Sequence, residues 1–242
     1  MKTSIIITDI TRMKGNRICV AGYLPDKTCV RPVTASGLNY DFLKEKGELI
    51  IQPFAIVEFD LEESATPNKP HTEDHVMQSQ HHVKCGMLTS SQQDVFLSGM
   101  DYINVENIFG AAISLGPGFY IKDGEGEHSL GTIGSPNLKE IYRDSNSGYR
   151  ISFNDKCGKD YDLKVTDLSF WKYLDFLIYT LKVSPLNAFK MLKDDLQKAK
   201  LYLRIGLARG DWDKYPGRCY LQITGVYSFP DYLSGLTLAD LE

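Results

Sequence analysis

The chain has 242 residues, enough for one large β-rich domain or two small ones. Hydrophobic residues make up 43% of it and charged residues 24%, and the net charge of −4 argues against a strongly basic nucleic-acid-binding protein, although a local basic patch is compatible with this average. No apolar stretch approaches the length of a membrane span and the run Ile5–Ile7 is too short for a signal peptide, so we expect a cytoplasmic protein without membrane contact.

Short strands separated by polar turns are predicted for the first half of the chain. A short helix is predicted near Ser90–Gly99, where two serines provide a cap. The glycine-rich segment Gly116–Gly134 predicts loops and the junction between two domains, 1–125 and 126–242. Apolar and β-branched runs indicate strands at Ser4–Thr8, Arg17–Gly22, Thr28–Val33 and Pro53–Glu62.

Helices interrupt the predicted strands in the second half. Asp167–Leu181 has apolar residues at helical spacing, and Ser184-Pro185 is typical of the start of a second helix that runs to about Lys198. We therefore predict a mainly β protein with α (α+β), whose second domain carries a helical pair near 167–198.

The segment Lys200–Tyr232 carries the strongest functional pattern. Its apolar residues alternate with polar and aromatic ones in two runs separated by a Gly/Asp/Pro-rich loop, which predicts a β-hairpin with one buried face. Rings interleaved with guanidinium and amide groups suit base stacking and phosphate binding, while a solvated face with ordinary cross-strand pairs is the alternative. The face opposite the core is expected to carry Tyr202, Arg204, Tyr220, Gln222 and Thr224.

Basic residues at predicted strand ends and loop mouths add to this candidate surface. Arginine can bind two phosphate oxygens at once, so these positions suit contacts to a nucleic-acid backbone; the alternative is surface charge with ion pairs. The candidates are Arg12, Lys14, Arg17, Arg31, Arg204, Arg209 and Arg218.

Four of the five histidines lie between residues 71 and 82, in a candidate polar or metal site. His71, Glu73 and Asp74 offer a ligand and a base in one short stretch. The side chains suit zinc, but the spacing matches no metal motif, so we expect neither a metal nor another cofactor. No nucleophile elbow or phosphate-binding lysine loop is present, and five cysteines without a CxxC pair indicate reduced thiols. The candidate ligands are His71, His75, His81 and Cys85.

Several segments together resemble the bacterial dual OB-containing domain family. They are ITRMKGNRICVAGYLPDKTCVRPV at 10–33, PHTED at 70–74, RIGLAR at 204–209 and LQITGVYSFPDYL at 221–233. The resemblance spans nearly the whole chain and implies two OB-like five-stranded barrels, nucleic-acid binding, and an association with conflict or defence systems. The matching positions are Arg12, Arg31, His71, Glu73, Asp74, Arg204, Arg209 and Tyr227, with the turn Phe229-Pro230-Asp231.

We favour a nucleic-acid-binding module of two OB-like barrels without enzymatic activity. Single-stranded DNA or RNA is the expected ligand because its bases are free to stack. A protein–protein adaptor is one alternative, and a metal-assisted hydrolase that uses the His71–Asp74 segment is the other.

Overall fold

A computed structural model describes residues 1–62 and 68–241 of the chain. The first half contains β1 (Lys2–Arg12), β2 (Arg17–Tyr23), β3 (Cys29–Val33), β4 (Leu38–Asn39), a 3₁₀-helix (Tyr40–Leu43), β5 (Lys44–Glu45), β6 (Glu48–Leu49), β7 (Ala55–Leu61) and β8 (Asp74–Met87). The middle of the chain contains α1 (Ser90–Ser98), β9 (Asp101–Tyr102), α2 (Glu106–Phe109), β10 (Ser114–Leu115) and β11 (Phe119–Lys122). The second half contains β12 (Leu130–Gly134), β13 (Asn137–Arg143), β14 (Tyr149–Asn154), β15 (Asp160–Val165), α3 (Leu168–Asp175), a π-helix (Phe176–Thr180), α4 (Pro185–Lys198), β16 (Lys200–Leu207) and β17 (Arg218–Phe229).

Five strands of the first half form a closed barrel. The order is β1-β7-β8-β3-β2, and β1 pairs with both β7 and β2. The pair β3–β8 is parallel and the others are antiparallel. Alternation in β7 buries Val57 and Phe59, and Gly22 is required where β2 meets β1, because a Cβ there would lie 2.1 Å from the Ile6 carbonyl oxygen. The predicted barrel of the first half is confirmed.

The second half forms a sheet in which β12 and β13, on opposite sides of the sheet, are consecutive in the chain. Its path runs β13-β14-β15-β17-β16-β12-β9, with a parallel pair between β15 and β17. Only Ser135 and Pro136 separate β12 from β13, so these two segments act as one bent first strand. Ser135 has a φ of 50°, in the left-handed region that a sharp bend requires. The strand order then equals that of the first barrel, as two OB-like halves require.

The helical pair lies between the third and fourth strands of the second barrel. Asp167 caps α3 by accepting hydrogen bonds from the backbone N–H groups of Ser169 and Phe170. Ser184 caps α4, and Pro185 occupies its first turn. Buried Leu192 shows that α4 turns its apolar side inward, where the helix packs against β13. The predicted helical pair is confirmed.

The expected boundary at residue 125 stays a prediction. Strand β9 pairs with β12 and β11 pairs with β17, although both lie before residue 126. Val105, Ile108 and Ile121 likewise belong to the second hydrophobic core. These pairings favour a division closer to the end of β8.

The two barrels pack tightly against each other. Leu168 and Leu238, from the second half, are buried in the core of the first barrel. A smaller apolar cluster joins Phe54, Leu97, Tyr202 and Tyr227. No helix within the described residues is long and apolar enough to cross a membrane.

Candidate nucleic-acid interface

Strand β16 is buried on both faces, which corrects the prediction of an exposed face. After Lys200, every residue of β16 is buried. One face covers the second core, as the alternation predicts. The other face packs on the first barrel, so Tyr202 and Arg204 are 1% and 0% exposed. Period-two alternation identifies the two faces of β16 but does not show that the first barrel covers the polar face.

Arg204 forms a buried ion pair across the two barrels. Its Nη2 lies 2.8 Å from Oδ2 of Asp9 in β1, and Nε donates to both carboxylate oxygens of that residue. Nη1 donates to Tyr23 Oη at 2.5 Å and to Thr132 Oγ1 at 3.0 Å. Burial alone would lower the pKa of Arg204, but the charge of Asp9 raises it well above its usual value. All three guanidinium nitrogens are engaged, so the predicted role of Arg204 in phosphate binding is wrong for this structure.

Tyr202 and Tyr227 also join structural elements instead of facing solvent. The Tyr202 hydroxyl donates to Asp94 in α1 at 2.8 Å. The Tyr227 hydroxyl donates to the Thr8 carbonyl oxygen at 2.7 Å, and its ring packs against Phe54 at 4.6 Å between centroids. Neither ring therefore lies on an exposed sheet face, since Tyr202 and Tyr227 are 1% and 9% exposed.

A second polar network contains most of the other family positions. Asp74 accepts from Arg31 at 2.5 Å and from Arg209 at 2.6 Å, which links the barrels again. Glu73 accepts from the backbone N–H and the hydroxyl of Ser129 at 2.6 and 2.7 Å. The structure thus brings distant sequence positions together, and Arg209 is the one network member with a half-exposed side chain.

His71 lies inside this network as a neutral group. It is 4% exposed, and neither ring nitrogen has a hydrogen-bond partner within the described residues. Burial lowers the pKa of His71 to about 3, assisted by the positive charges of Arg31 and Arg209. A buried histidine with this pKa stays neutral near pH 7, and its ring is not accessible to a nucleic-acid strand.

The candidate metal ligands do not meet. Over residues 1–62 and 68–241, no three His, Cys, Asp or Glu side chains are placed to hold a metal ion. His71 is buried, while His81 and Cys85 are exposed on β8 and His75 bonds through Nδ1 to the Glu73 carbonyl oxygen.

Two of the predicted basic residues lie at the β1–β2 turn. Lys14 and Arg17 are exposed there. Arg12 at the same turn stacks on Trp171 of α3, with 3.8 Å from the guanidinium carbon to the ring centroid. The predicted cations therefore fall into separate places and do not converge on one cleft.

Arg218 and Tyr220 belong to a group of partly exposed rings at the β16–β17 loop. We call Tyr120, Trp212, Tyr215, Arg218 and Tyr220 the ring cluster. Strand β11 pairs with β17 so that Tyr120 lies opposite Tyr220, with ring centroids 5.7 Å apart. The Arg218 guanidinium lies 4.7 Å from the Tyr120 ring centroid and 5.1 Å from that of Tyr215.

Trp212 is the most accessible member of the ring cluster. It is 50% exposed and lies 5.2 Å from Tyr215 and 5.5 Å from Tyr220 between ring centroids. Sequence reasoning missed Tyr120, Trp212 and Tyr215. The available signal was an aromatic pair within the polar loop GDWDKYPG, where a buried role is uncommon.

The strand order and the two barrels agree with a comparison to protein families. The family model described as "Dual OB-containing domain" matches residues 2–226. The chain belongs to the dual OB-containing domain family. No curated protein gives a significant match.

Membership of this family allows the position of the ring cluster to be compared with the ligand-binding surfaces of OB barrels. OB barrels bind ligands with the loops between strands one and two and between strands four and five, together with a strand face. In the second OB barrel, β16 and β17 are the fourth and fifth strands, and their connecting loop carries Trp212 and Tyr215. The fold is therefore of a nucleic-acid-binding type, with partly exposed rings on a loop that OB barrels use for ligands.

Proposed function

We propose that this protein binds single-stranded nucleic acid at the ring cluster, as a module without enzymatic activity. The observation that supports the proposal is the half-exposed Trp212 ring, which lies beside Tyr215 and Tyr220 in a cluster that also holds Arg218. Every base has a flat apolar face, so stacking on such rings accepts any sequence and is worth about 1–3 kcal/mol per base.

Positive charge beside the rings suits the phosphates between stacked bases. Arg218 lies between Tyr120 and Tyr215, and Lys214 lies 5.3 Å from the Tyr215 ring centroid. Free bases are needed for stacking, which favours a single strand over a duplex. The net charge of −4 means that this attraction is local, so binding should weaken steeply with salt.

Fluorescence anisotropy with a labelled single strand tests the proposal. We expect saturable binding of a 12-nucleotide DNA or RNA strand in low salt, since one OB barrel covers about 4–16 nucleotides. Trp212→Ala should weaken binding at least fivefold because a stacking face is lost. Arg218→Ala should also reduce the slope of log affinity against log salt by about 0.7.

Matched variants on α4 control for general effects. Leu186 is exposed and apolar, and Lys190 is exposed and cationic. Leu186→Ala and Lys190→Ala should leave the affinity unchanged. The proposal fails if neither polymer binds at micromolar protein, or if Trp212→Ala and Leu186→Ala give the same affinity.

The hydrolase alternative has little geometric support. His71 and Glu73 are 4% and 3% exposed, and Asp74 is held between two arginines. The setting in a bacterial conflict or defence system comes from the family resemblance and forms part of the proposal, as does a protein partner. Nuclease-treated pull-downs compared between wild type and Trp212→Ala separate an adaptor from a nucleic-acid-binding module.

A further inference from the structure

A cavity of about 170 Å³ lies where the C-terminal tail, residues 230–241, crosses the junction of the barrels. The tail contributes Tyr232 to the second core and Leu238 to the first. Aromatic residues line the cavity from both barrels and from the tail: Phe54, Tyr227, Phe229 and Tyr232. An engineered apolar cavity of about 150 Å³ accommodates benzene, so this volume suits one small ring system.

Phe54 is held in an unusual backbone conformation at the cavity wall. Its φ of 64° lies in the left-handed region, which large side chains seldom adopt. Its backbone N–H donates to the Ile7 carbonyl oxygen at 2.7 Å and its ring packs on Tyr227, so both barrels fix its position. Strain of this kind collects at ligand sites.

Three polar side chains of the cavity wall have no hydrogen-bond partner among the described residues. Gln52 is half-buried and its side-chain amide is unpaired, so it offers both a donor and an acceptor. The hydroxyls of Ser169 and Tyr232 are buried without a partner. An unpaired buried polar group costs stability, and two such hydroxyls lie beside this cavity, where the half-buried Gln52 amide offers further hydrogen-bonding capacity.

The charges of the lining exclude an anionic ligand. Among the described residues that line the cavity, Asp231 is the one charged side chain, and none is Lys, Arg or His. A phosphate or carboxylate would find no cation there. We propose that this cavity binds an uncharged heteroaromatic ring of nucleobase size, held by ring contacts and by hydrogen bonds to its edge, as proteins hold unstacked bases.

Adenine and cytosine, each as the free compound, are the probes for this site. We expect saturable binding by isothermal titration and by saturation-transfer NMR. Gln52→Leu and Tyr232→Phe should each weaken binding about fivefold, because each removes hydrogen-bonding capacity from the cavity wall. Gln222→Leu and Tyr161→Phe are the controls: Gln222 is half-buried, and Tyr161 has a buried unpaired hydroxyl, but neither lines the cavity.

A cavity-filling variant provides a second measurement. Leu236 lies on the tail and lines the cavity, so Leu236→Trp should abolish binding while far-UV circular dichroism and Tm stay close to wild type. If neither base binds saturably at millimolar concentration, the proposal is overturned and the cavity holds water alone. Equal losses in the cavity variants and the two controls would also overturn it.

The bound base could be a free molecule or one base of a nucleic-acid strand, and binding of the strand to the Gln52→Leu variant distinguishes the two. Gln52→Leu weakens binding of the 12-nucleotide strand if the base comes from that strand, and leaves it unchanged if the ligand is a free molecule. The inference does not depend on the ring cluster, none of whose residues lines the cavity. Trp212→Ala should therefore leave binding of the free base unchanged, so failure of one proposal is distinguishable from failure of the other.

Discussion

Arg204 and Arg218 lie on adjacent strands, yet their surroundings give them opposite roles. Arg204 is completely buried because Asp9 of the first barrel faces it, and its charge is used inside the protein. Arg218 lies between two tyrosine rings at a partly exposed site. For a guanidinium group, the position of the nearest carboxylate therefore decides between a structural and a ligand-binding role.

His71 predicts a pH dependence of stability. Its folded-state pKa of about 3 lies below the ordinary value near 6.5, so below pH 6.5 the unfolded chain binds a proton that the folded chain does not. The contribution of His71 to stability should therefore fall as the pH falls from about 6.5 towards 3, by an amount on the order of 2 kcal/mol at pH 5, while Asp167, whose pKa is raised to about 7 by burial, acts in the opposite direction. Urea unfolding at pH 7.5 and pH 5 measures it.

The matched comparison for this effect is between two histidine variants. His71→Leu should lose less stability than wild type between the two pH values, whereas the exposed His128→Leu should behave like wild type. An identical pH dependence in all three proteins would contradict the neutral buried histidine.

At the scale of elements, β17 and the tail that follows it connect the two barrels. The first residues of β17 pair with β11 and carry part of the ring cluster. Its later residues pair with β16, and Tyr227 reaches the first barrel. The tail then places Leu238 in the first core at 6% exposure. One continuous segment therefore positions the candidate surface and fastens the barrels.

Leu238→Ala tests the anchoring role of the tail. Loss of a buried leucine leaves a cavity in the first core, which should lower the free energy of unfolding by about 2–5 kcal/mol. The exposed Leu186→Ala should change it by no more than about 0.5 kcal/mol. Equal effects in denaturant melts would mean that the tail does not contribute to the first core.

At the scale of the whole molecule, the buried interface makes the two barrels one structural unit. Arg204 and Asp9 are paired at the interface without solvent, and Tyr23, Thr132 and Thr224 complete the hydrogen bonds from both sides. Removing one partner leaves a buried charge unpaired, which costs far more than the loss of a surface pair.

Arg204→Met should lower the free energy of unfolding by about 3–5 kcal/mol, since Asp9 remains buried. The double variant Arg204→Met/Asp9→Leu should recover much of this loss, because no charge is then left unpaired. Lys156→Met, at the partly exposed pair with Asp101, should cost at most about 1 kcal/mol. Urea melts of the four proteins give these values.

Cooperative unfolding provides the second measurement of the same prediction. Both tryptophans, Trp171 and Trp212, lie in the second half, so tryptophan fluorescence reports on the second barrel, whereas far-UV circular dichroism reports on both barrels. If the protein unfolds as one unit, fluorescence and circular dichroism should give the same unfolding transition in the wild type. Separate transitions would contradict a single unit.

Much of the fold followed from local pattern. Alternation over β7 and β16, the helical spacing after Asp167 and the Ser184-Pro185 start identified elements that the structure contains. The pattern over 71–85 favours only short extended segments, whereas the long strand β8 occupies most of this range because its neighbours β3 and β7 supply hydrogen bonds that the sequence does not display.

The sequence by itself determined which residues alternate along the strands, which residues cap the helices, and to which family the chain belongs. The tertiary structure alone decided which polar face is covered. A strand pattern records that Tyr202 and Arg204 share a face, but the partner of that face, Asp9, lies 195 positions away from Arg204. Burial depends on how the two barrels pack, so the family position Arg204 lies in the barrel interface and not on a ligand-binding face. The candidate surface is formed instead by the ring cluster, in which the pairing of β11 with β17 brings Tyr120 beside Tyr220.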